Sequence, residues 1–269
     1  MFLCRAGTLT RSGAAFSGSP SIAWDHVEDA NSMEKNTELY RGKAKTVFTT
    51  DDPEYYIMRF RDDTSALDGK ITRQLERKGR TNNHFSFFIM RSLERSGIST
   101  HCVKLVSDDE CLVKKLKMIP VECVVRNLAA GSICRRLGIK EGLRFKKPVL
   151  ELFLKNDELH DPMVNESYAQ AFGWATSDEL ESMKTQSLRI NEILSDLFAK
   201  AGLTLVDFKL EFGVDTRGNL TLGDEFSPDC CRLWDTKTME RFDKDRFRQN
   251  LGHVVDGYEE AARRIGCPL

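Results

Sequence analysis

The chain has 269 residues, of which 41% are hydrophobic and 30% charged, enough to bury one large core or two lobes that share a cleft. Its 40 basic and 41 acidic side chains leave a net charge of -1, so a general polyanion binder such as a DNA-coating protein is not indicated. No apolar run approaches the roughly 20 residues that a membrane-spanning helix needs.

The first 35 residues differ in composition from the rest of the chain. Residues 1–24 contain Arg5, Arg11 and several serines but no acidic residue, as organellar transit peptides do. A disordered tail, or an upstream start codon before a core that opens at Met33, explains the same composition. We therefore treat residues 1–35 as an extension that is expected to be disordered. The rest of the sequence predicts a cytoplasmic protein, with an organellar transit peptide as the alternative.

Residues 36–118 predict a small lobe that is rich in β-strands. One helix interrupts the strands, because apolar residues recur at helical spacing from Phe85 to Leu93 and Gly97 is a suitable C-terminal stop. The strands are short runs of β-formers bounded by polar turns. They are predicted at Thr46–Phe48, Tyr56–Phe60 and Cys111–Lys114.

Residues 119–269 predict a larger mixed lobe. An apolar strand at Val121–Val125 is followed by a long amphipathic helix that ends near Gly202, a β-hairpin at about 204–226, and one last helix marked by apolar residues from Phe247 to Ile265. The fold class is therefore α+β in two lobes. The cleft between the lobes is the expected ligand site.

Carboxylates are concentrated in the predicted hairpin. Side chains alternate between the two faces of a strand, so Asp207, Lys209 and Glu211 are expected on one face. The returning strand adds Asp224, and paired carboxylates repel each other unless cations lie between them. Magnesium bound to nucleotide phosphates is the usual solution, whereas a solvated surface strand is the alternative. Strict alternation would bury Asp224, so a bulge or a strand end at Gly223 is required.

Two basic segments are candidates for phosphate binding. The segment Tyr40–Phe48 reads as a hairpin with Lys43 and Lys45 on one side, which would suit a lid over nucleotide phosphates, although glycine and lysine also occur in ordinary solvated turns. Later, an apolar strand ends at Arg126 and is followed by a small-residue turn at Ser132. Arginine and a Gly-Ser turn match a phosphate monoester or a carboxylate, while an arginine paired with a structural acid is the alternative.

Two further segments contain candidate substrate contacts. The polar loop 153–165 contains Lys155 and Asp161, which could form a second substrate pocket, although an exposed loop is the default interpretation. Arg232 follows the carboxylate hairpin and is expected beside the metal site. His160 is interpreted as a surface histidine.

Residues from about 37 to 266 resemble the phosphoribosylaminoimidazole-succinocarboxamide synthase (SAICAR synthetase) family. Two segments are similar to the family signatures, the strand-and-turn segment with Arg126 and Ser132 and the strand with Asp207, Lys209 and Glu211. Three more match in order and spacing. The five segments are 39–45, 120–132, 161–165, 206–213 and 223–228.

The resemblance implies an ATP-dependent ligase that condenses carboxyaminoimidazole ribotide (CAIR) with L-aspartate, in a fold whose small lobe resembles the N-lobe of kinases. It implies magnesium at Glu211 and Asp224, and a reacting centre at Asp207 and Lys209. The remaining contacts are implied residue by residue. ATP would be bound by Lys43, Ala44, Lys45, Val113, Lys114 and Met118, and the substrates by Arg126, Ser132, Arg232, Lys155, Asp161 and Arg248.

The cysteines do not predict a zinc site or a disulfide framework. The eight cysteines form no C-x-x-C pattern and do not cluster with the five histidines, so reduced thiols are expected. Cys230 and Cys231 depart from the family, in which glycine or serine is usual at this point. The pair predicts some sensitivity to oxidation or alkylation.

Two other function classes are compatible with parts of the sequence. A kinase-like phosphotransferase would use a similar Gly-Lys hairpin and acidic metal ligands, but would not need L-aspartate. A non-catalytic nucleotide-binding module would tolerate loss of Glu211. The expected partners are small molecules, with no nucleic acid or membrane, and the sequence leaves a homodimer open.

Overall fold

The first described strands form an antiparallel sheet of five strands. The structure, a computed structural model, describes residues 33–66 and 71–269, so the expectations for residues 1–32, including the transit peptide, lie outside the described residues. Strand order is β1-β2-β3-β7-β6, and buried Ile57, Met58 and Phe60 lie in its central strand. The strands are β1 (Lys35–Arg41), β2 (Lys45–Thr50), β3 (Tyr55–Phe60), β6 (Cys102–Leu105) and β7 (Glu110–Lys114).

A small hairpin and a long helix separate β3 from β6. The hairpin pairs β4 (Asp63–Ala66) with β5 (Ile71–Gln74). Helix α1 (Lys78–Arg95) buries one apolar face and packs against the sheet. Gly97 follows the helix with φ of 84°, a left-handed conformation that suits glycine, so the predicted helix and its stop are confirmed.

A second sheet contains six antiparallel strands. Its order is β10-β9-β8-β11-β12, and β13 pairs with β11 beyond that path. The predicted strand near 121–125 and the hairpin near 204–226 are confirmed. The strands are β8 (Lys117–Leu128), β9 (Arg144–Leu154), β10 (Met163–Val164), β11 (Leu203–Val214), β12 (Leu220–Gly223) and β13 (Cys231–Asp235).

One face of this sheet is covered by a long helix, so the other face is available to line a cleft. Helix α4 (Ser177–Lys200) starts with a capping box between Thr176 and Glu179. Its buried residue Phe198 contacts Phe226, which in turn contacts Phe208 of β11. The helix matches the predicted one and ends just before Gly202. Three shorter elements complete this region: α2 (Ser132–Leu137), a 3-10 helix (Asp157–Leu159) and α3 (Glu166–Ala171).

The single last helix predicted from Phe247 to Ile265 is wrong. The structure has two helices, α5 (Asp245–Arg248) and α6 (Val254–Arg264). The residues between them include Asn250, Gly252 and His253, all with positive φ, which ends a right-handed helix. The apolar spacing continued through this segment, whereas the backbone reverses in it.

The two sheets meet through a short main-chain bridge. Leu222 of β12 donates its N–H to the carbonyl of Ser99 and accepts from the N–H of His101, both at about 3 Å. From residue 33 onward the chain forms one compact unit. The first sheet ends at Lys114 and the second begins at Lys117, but the division into lobes at 118 and 119 stays a prediction. Among the described residues, no helix is long and apolar enough to cross a membrane.

Replacement of Gly79 by alanine is expected to destabilise the fold. A Cβ at this buried position in α1 would lie 2.5 Å from the backbone oxygen of Phe60, so the helix and β3 would have to separate. We expect Gly79→Ala to lower the free energy of unfolding by about 1–3 kcal/mol, measured by urea denaturation. Arg95→Ala, on the exposed side of the same helix, should change it by less than about 0.5 kcal/mol. Equal stability of the two variants would contradict the close contact.

Candidate active site

A cleft of about 410 Å³ lies between the β1–β2 turn and the uncovered face of the second sheet. Most of the residues that the sequence selected as site residues line it. They are Lys43, Ala44, Lys45, Arg126, Lys155, Asp161, Asp207, Lys209, Glu211, Asp224, Arg232 and Arg248.

Strand β11 presents alternate side chains to the cleft, as predicted. Asp207, Lys209 and Glu211 line the cleft. Of the apolar residues between them, Leu210 is buried away from the cleft, while Phe208 is buried and also reaches its lining. On the neighbouring strand β8, Arg126 pairs with Asp207 and Glu122 with Glu211. Two antiparallel strands therefore place charged side chains opposite each other on one face.

Asp224 reaches the cleft because its strand ends one residue earlier. Strand β12 stops at Gly223, which pairs with Glu211, and Asp224 has φ of 55°. The ring Nε2 of His101 donates to the carbonyl oxygen of Asp224 at 2.8 Å, since a carbonyl can only accept. Strict alternation of side chains would have buried Asp224, so a bulge or a strand end was predicted at Gly223. The strand end is confirmed.

Lysines neutralise the carboxylates of the hairpin. Lys45 contacts Asp224 and lies 2.8 Å from Glu225. Lys209 contacts Glu211, donates to Glu122 at 3.0 Å and lies 3.9 Å from Asp224. These ammonium groups lie between the paired carboxylates, where cations were expected from the sequence.

The ionisation of the cluster follows from these pairs. Burial alone would raise the pKa of Asp224, but Lys45 and Lys209 hold it well below its usual value. Burial would lower the pKa of Lys209, yet Glu211 and Asp224 raise it. Burial raises the pKa of Glu122 despite the opposing effect of Lys209. The cluster therefore contains charged lysines at neutral pH and one carboxylate, Glu122, that gains a proton more readily than usual.

Arg126 forms a buried ion-pair network at the base of the cleft. Its guanidinium donates to Glu151 and to Asp207, both at 2.6 Å, and to the hydroxyl of Ser132 at 3.1 Å. Asp207 also accepts from Arg232 at 2.8 Å. The structural-acid alternative for Arg126 is therefore present in the structure, although the same arginine also contacts the Gly-Ser turn.

Arg232 is held close to that turn from two sides. The position of Gly131, with φ of 64°, leaves no room for a Cβ because the guanidinium of Arg232 occupies that space. Asp245 of α5 accepts from Arg232 at 2.8 Å and from Arg248 at 2.7 Å. A recess of about 770 Å³ lies here, lined in part by Ser132 and by both arginines.

Three predicted nucleotide contacts lie outside the lining of the cleft. Val113 is buried in β7, and the ammonium of Lys114 donates to the carbonyl of Thr100 at 3.2 Å. Met118 is 41% exposed, and its side chain lies against Gly213 and Gly223 of the carboxylate hairpin. Their assignment to adenine stays a prediction.

Three residues of the site were not predicted from the sequence: Glu122, Lys244 and Asp245. Glu122 lies four residues before Arg126 on β8 and therefore on the same face, so the alternation of side chains could have predicted it. Lys244 and Asp245 reach the site from the start of α5, where Asp245 accepts a hydrogen bond from Arg232. No local pattern distinguished them from surface charges.

The predicted reactivity of Cys230 and Cys231 is not favoured by their surroundings. Cys231 is buried, and burial raises the pKa of both thiols. Alkylating agents react with thiolates, which are scarce under these conditions. The seven cysteines of the described residues are all free.

Glu211 and Asp224 can form only part of a metal-binding shell. Within residues 33–66 and 71–269, no group of three or more histidine, cysteine or acidic side chains is arranged to hold a metal ion. Two carboxylates nevertheless fit magnesium, which prefers oxygen ligands and completes its shell with water and substrate phosphates.

Comparisons with known proteins point to one family. The sequence model of the SAICAR synthetase family matches residues 38–265. A phosphoribosylaminoimidazole-succinocarboxamide synthase of Pseudomonas paraeruginosa is 62% identical over 237 residues, which cover 88% of this chain and 100% of that protein. The structure of the synthase of that name from Ehrlichia chaffeensis is similar with a TM-score of 0.85 and 47% identity, over 87% of this chain and 100% of that one. A type-2 SAICAR synthetase in complex with ADP is similar with a TM-score of 0.82 and 45% identity, over 85% and 97% respectively.

Acid is expected to destabilise the protein in part through His101. Burial lowers the pKa of this histidine to about 4, from 6.5 in the unfolded chain. Between these values the unfolded state binds a proton that the folded state does not, so stability falls as pH falls from 6.5 to 4. His101→Gln keeps a donor for Asp224 but does not titrate. Between pH 6.5 and 4, the free energy of unfolding of His101→Gln should therefore decrease by up to about 3 kcal/mol less than that of the wild type.

Urea denaturation at several pH values between 7.5 and 4 measures this difference. His253→Gln, at an exposed site, is the control and should follow the wild-type curve. Parallel curves for the wild type and His101→Gln would show that the buried histidine does not contribute.

Proposed function

The chain belongs to the SAICAR synthetase family, and we infer that it catalyses the reaction of that family. It is an ATP-dependent ligase of purine biosynthesis. It condenses CAIR with L-aspartate and releases SAICAR, ADP and phosphate. The observation that supports this function most directly is the cleft in which Lys45, Lys209, Glu211 and Asp224 form one charge cluster.

We propose that the nucleotide binds at the β1–β2 turn. Lys43 and Lys45 lie at this turn and line the cleft, with Ala44 between them. Lys43 is paired with Asp157 at 2.7 Å and Lys45 with Glu225 at 2.8 Å. Phosphate oxygens would replace these carboxylates as partners of the lysines. The ADP in the similar type-2 structure supports a nucleotide site in this fold.

The adenine is proposed to lie beyond this turn, near Val113, Lys114 and Met118. Val113 and Lys114 belong to β7, a strand of the same sheet as the turn. The exposed side chain of Met118 offers an apolar surface next to the carboxylate hairpin. An apolar surface of this kind suits a purine ring.

The phosphate of CAIR is proposed to bind at the opposite end of the cleft. Arg126, Ser132 and Arg232 meet there, with the hydroxyl of Ser132 3.1 Å from the guanidinium of Arg126. Two planar guanidinium groups and a hydroxyl provide donors that suit a phosphate monoester. Lys155, Asp161 and Arg248 also line the cleft and are proposed as further substrate contacts.

Magnesium is proposed to bind at Glu211 and Asp224. Bound there, magnesium would neutralise charge on the phosphate oxygens and hold them in line for transfer. Lys155 and Lys209, which now neutralise Glu211, would then be available to contact substrate oxygens. Lys209 and Asp207 are proposed to line the reacting centre, where Asp207 would also fix the two arginines that it contacts.

The proposed chemistry uses an acyl phosphate. A carboxylate oxygen of CAIR attacks the γ-phosphorus of ATP, the bond to the bridging oxygen breaks, and ADP leaves. The amine of L-aspartate then attacks the acyl carbon and expels phosphate, while the nitrogen loses its proton. Lysines that are held charged stabilise the negative oxygens in both steps, so positioning and electrostatics supply the catalysis.

A soluble enzyme with small-molecule substrates is proposed to be cytoplasmic. Its homodimer stays a proposal from the sequence. A kinase-like phosphotransferase is distinguished by its substrates, because it would release ADP without L-aspartate. An ADP-release assay with CAIR, with and without L-aspartate, separates the two functions.

Loss of the charge on Glu211 is expected to abolish most turnover. Glu211→Gln removes one proposed magnesium ligand and leaves Lys155 and Lys209 without their shared carboxylate. We expect kcat/KM to fall about a hundredfold or more, and the magnesium concentration for half-maximal rate to rise. Glu158→Gln, an exposed residue of the neighbouring 3-10 helix, is the matched control. Wild-type turnover in Glu211→Gln at unchanged magnesium would reject the assignment.

Oxygen labelling is expected to detect the acyl phosphate. If the carboxylate oxygens of CAIR carry ¹⁸O, one labelled oxygen should appear in the released phosphate. Mass spectrometry of that phosphate measures the transfer. Unlabelled phosphate would exclude this route while leaving the overall reaction intact.

A further inference from the structure

One basic side chain of the cleft differs from the others in its partners. Five lysines and three arginines line the cleft. Within the described part of the chain, seven of these eight form an ion pair with a carboxylate, and Lys244 does not. The seven are Lys43, Lys45, Lys155, Lys209, Arg126, Arg232 and Arg248.

The acids nearest to Lys244 are already engaged by other groups. Asp229 accepts from Lys78 at 2.6 Å, from Asn82 at 3.0 Å and from the hydroxyl of Tyr258 at 2.7 Å. Glu225 lies 2.8 Å from Lys45 and also accepts from the hydroxyl of Ser227. Each oxygen of these two carboxylates already accepts from another group, and neither acid forms an ion pair with Lys244. Its charge is therefore not balanced by a contact within the described chain.

The backbone of Lys244 is fixed, so its side chain emerges from a defined point. Its N–H donates to the carbonyl of Pro228 at 3.1 Å, and its carbonyl accepts from the N–H of Arg248 at 3.0 Å. Arg248 follows four residues later and therefore lies on the same side of this helical turn. The two cations face the cleft together.

The electrostatic surroundings make an anion the fitting ligand for Lys244. Burial lowers the pKa of this lysine, and the nearby cations Arg248 and Lys78 lower it further, against the opposing effect of Asp229. A partly buried ammonium that two other cations approach is stabilised by a bound anion. Carboxylate and phosphate are the two anionic groups that the substrates contain.

A carboxylate is the better candidate for the ligand of Lys244, because the phosphate groups of the substrates already have proposed partners. The proposed function already gives the ribotide phosphate to Arg126, Ser132 and Arg232 and the nucleotide phosphates to Lys43 and Lys45. No cation of the cleft is assigned specifically to the two carboxylates of L-aspartate. We propose that Lys244 binds a carboxylate of L-aspartate, with Arg248 beside it. This inference rests on the proposed function and identifies where its second substrate is recognised.

Substrate-specific kinetics test the proposal. Lys244→Gln should raise the KM for L-aspartate about tenfold or more, because a hydrogen bond to a charged group is lost. The KM values for ATP and CAIR should stay within about twofold of the wild type. Lys244→Arg, which retains the charge, should recover part of the affinity for L-aspartate. Lys200→Gln, which removes an exposed charge from the end of α4, is the control and should leave all three KM values unchanged.

Two results would overturn the proposal. One is a KM for L-aspartate that stays within about twofold in Lys244→Gln, and the other is a rise confined to the KM for CAIR or ATP. If Lys244→Gln does not fold, as judged by thermal unfolding, Lys244→Met removes the same charge and takes its place. The proposed function is tested separately, since it fails only if the wild type shows no ADP release that requires both CAIR and L-aspartate.

Discussion

The arrangement of the cleft depends on the repulsion between carboxylates that two paired strands place side by side. Glu122 and Glu211 are direct neighbours in the register of β8 and β11, and Asp224 follows the residue that pairs with Glu211 on the other side. Like charges at this spacing are unfavourable. Lys209 extends from the same strand and lies within 4 Å of all three. The sheet thus contains part of its own neutralising charge, and further positive charge comes from Lys45 of the other sheet and from Lys155, which contacts Glu211.

The same principle of paired charges extends from one end of the cleft to the other. At the base, Asp207 lies between Arg126 and Arg232, and Asp245 lies between Arg232 and Arg248. Each guanidinium is fixed by carboxylates while it faces the cleft. Donors that are fixed before a ligand arrives need little reorganisation when it binds. Pairing therefore fixes these guanidinium groups in the cleft before an anionic substrate binds.

Local patterns predicted the parts of the site that depend on neighbouring residues. Alternation in β11 placed Asp207, Lys209 and Glu211 correctly, and the parity of Asp224 required the strand end that is found at Gly223. Chain reversals were harder to predict. Apolar spacing suggested one helix where positive φ angles around Gly252 separate two, and the roles of neighbouring charges there depend on residues far away in sequence. The fold class and most of the cleft were thus predictable, whereas partners contributed by distant segments were not.

The contact of Lys45 with Asp224 and Glu225 affects which anions can bind in the cleft. An anion that draws Lys45 away would leave two carboxylates unbalanced, because burial makes their isolated charges costly. An anion that arrives together with a divalent cation replaces the lost positive charge as it binds. Under the proposed function, free nucleotide would therefore bind less favourably than its magnesium complex. The ion pairs of Lys45 would thus favour a ligand that carries its own counterion.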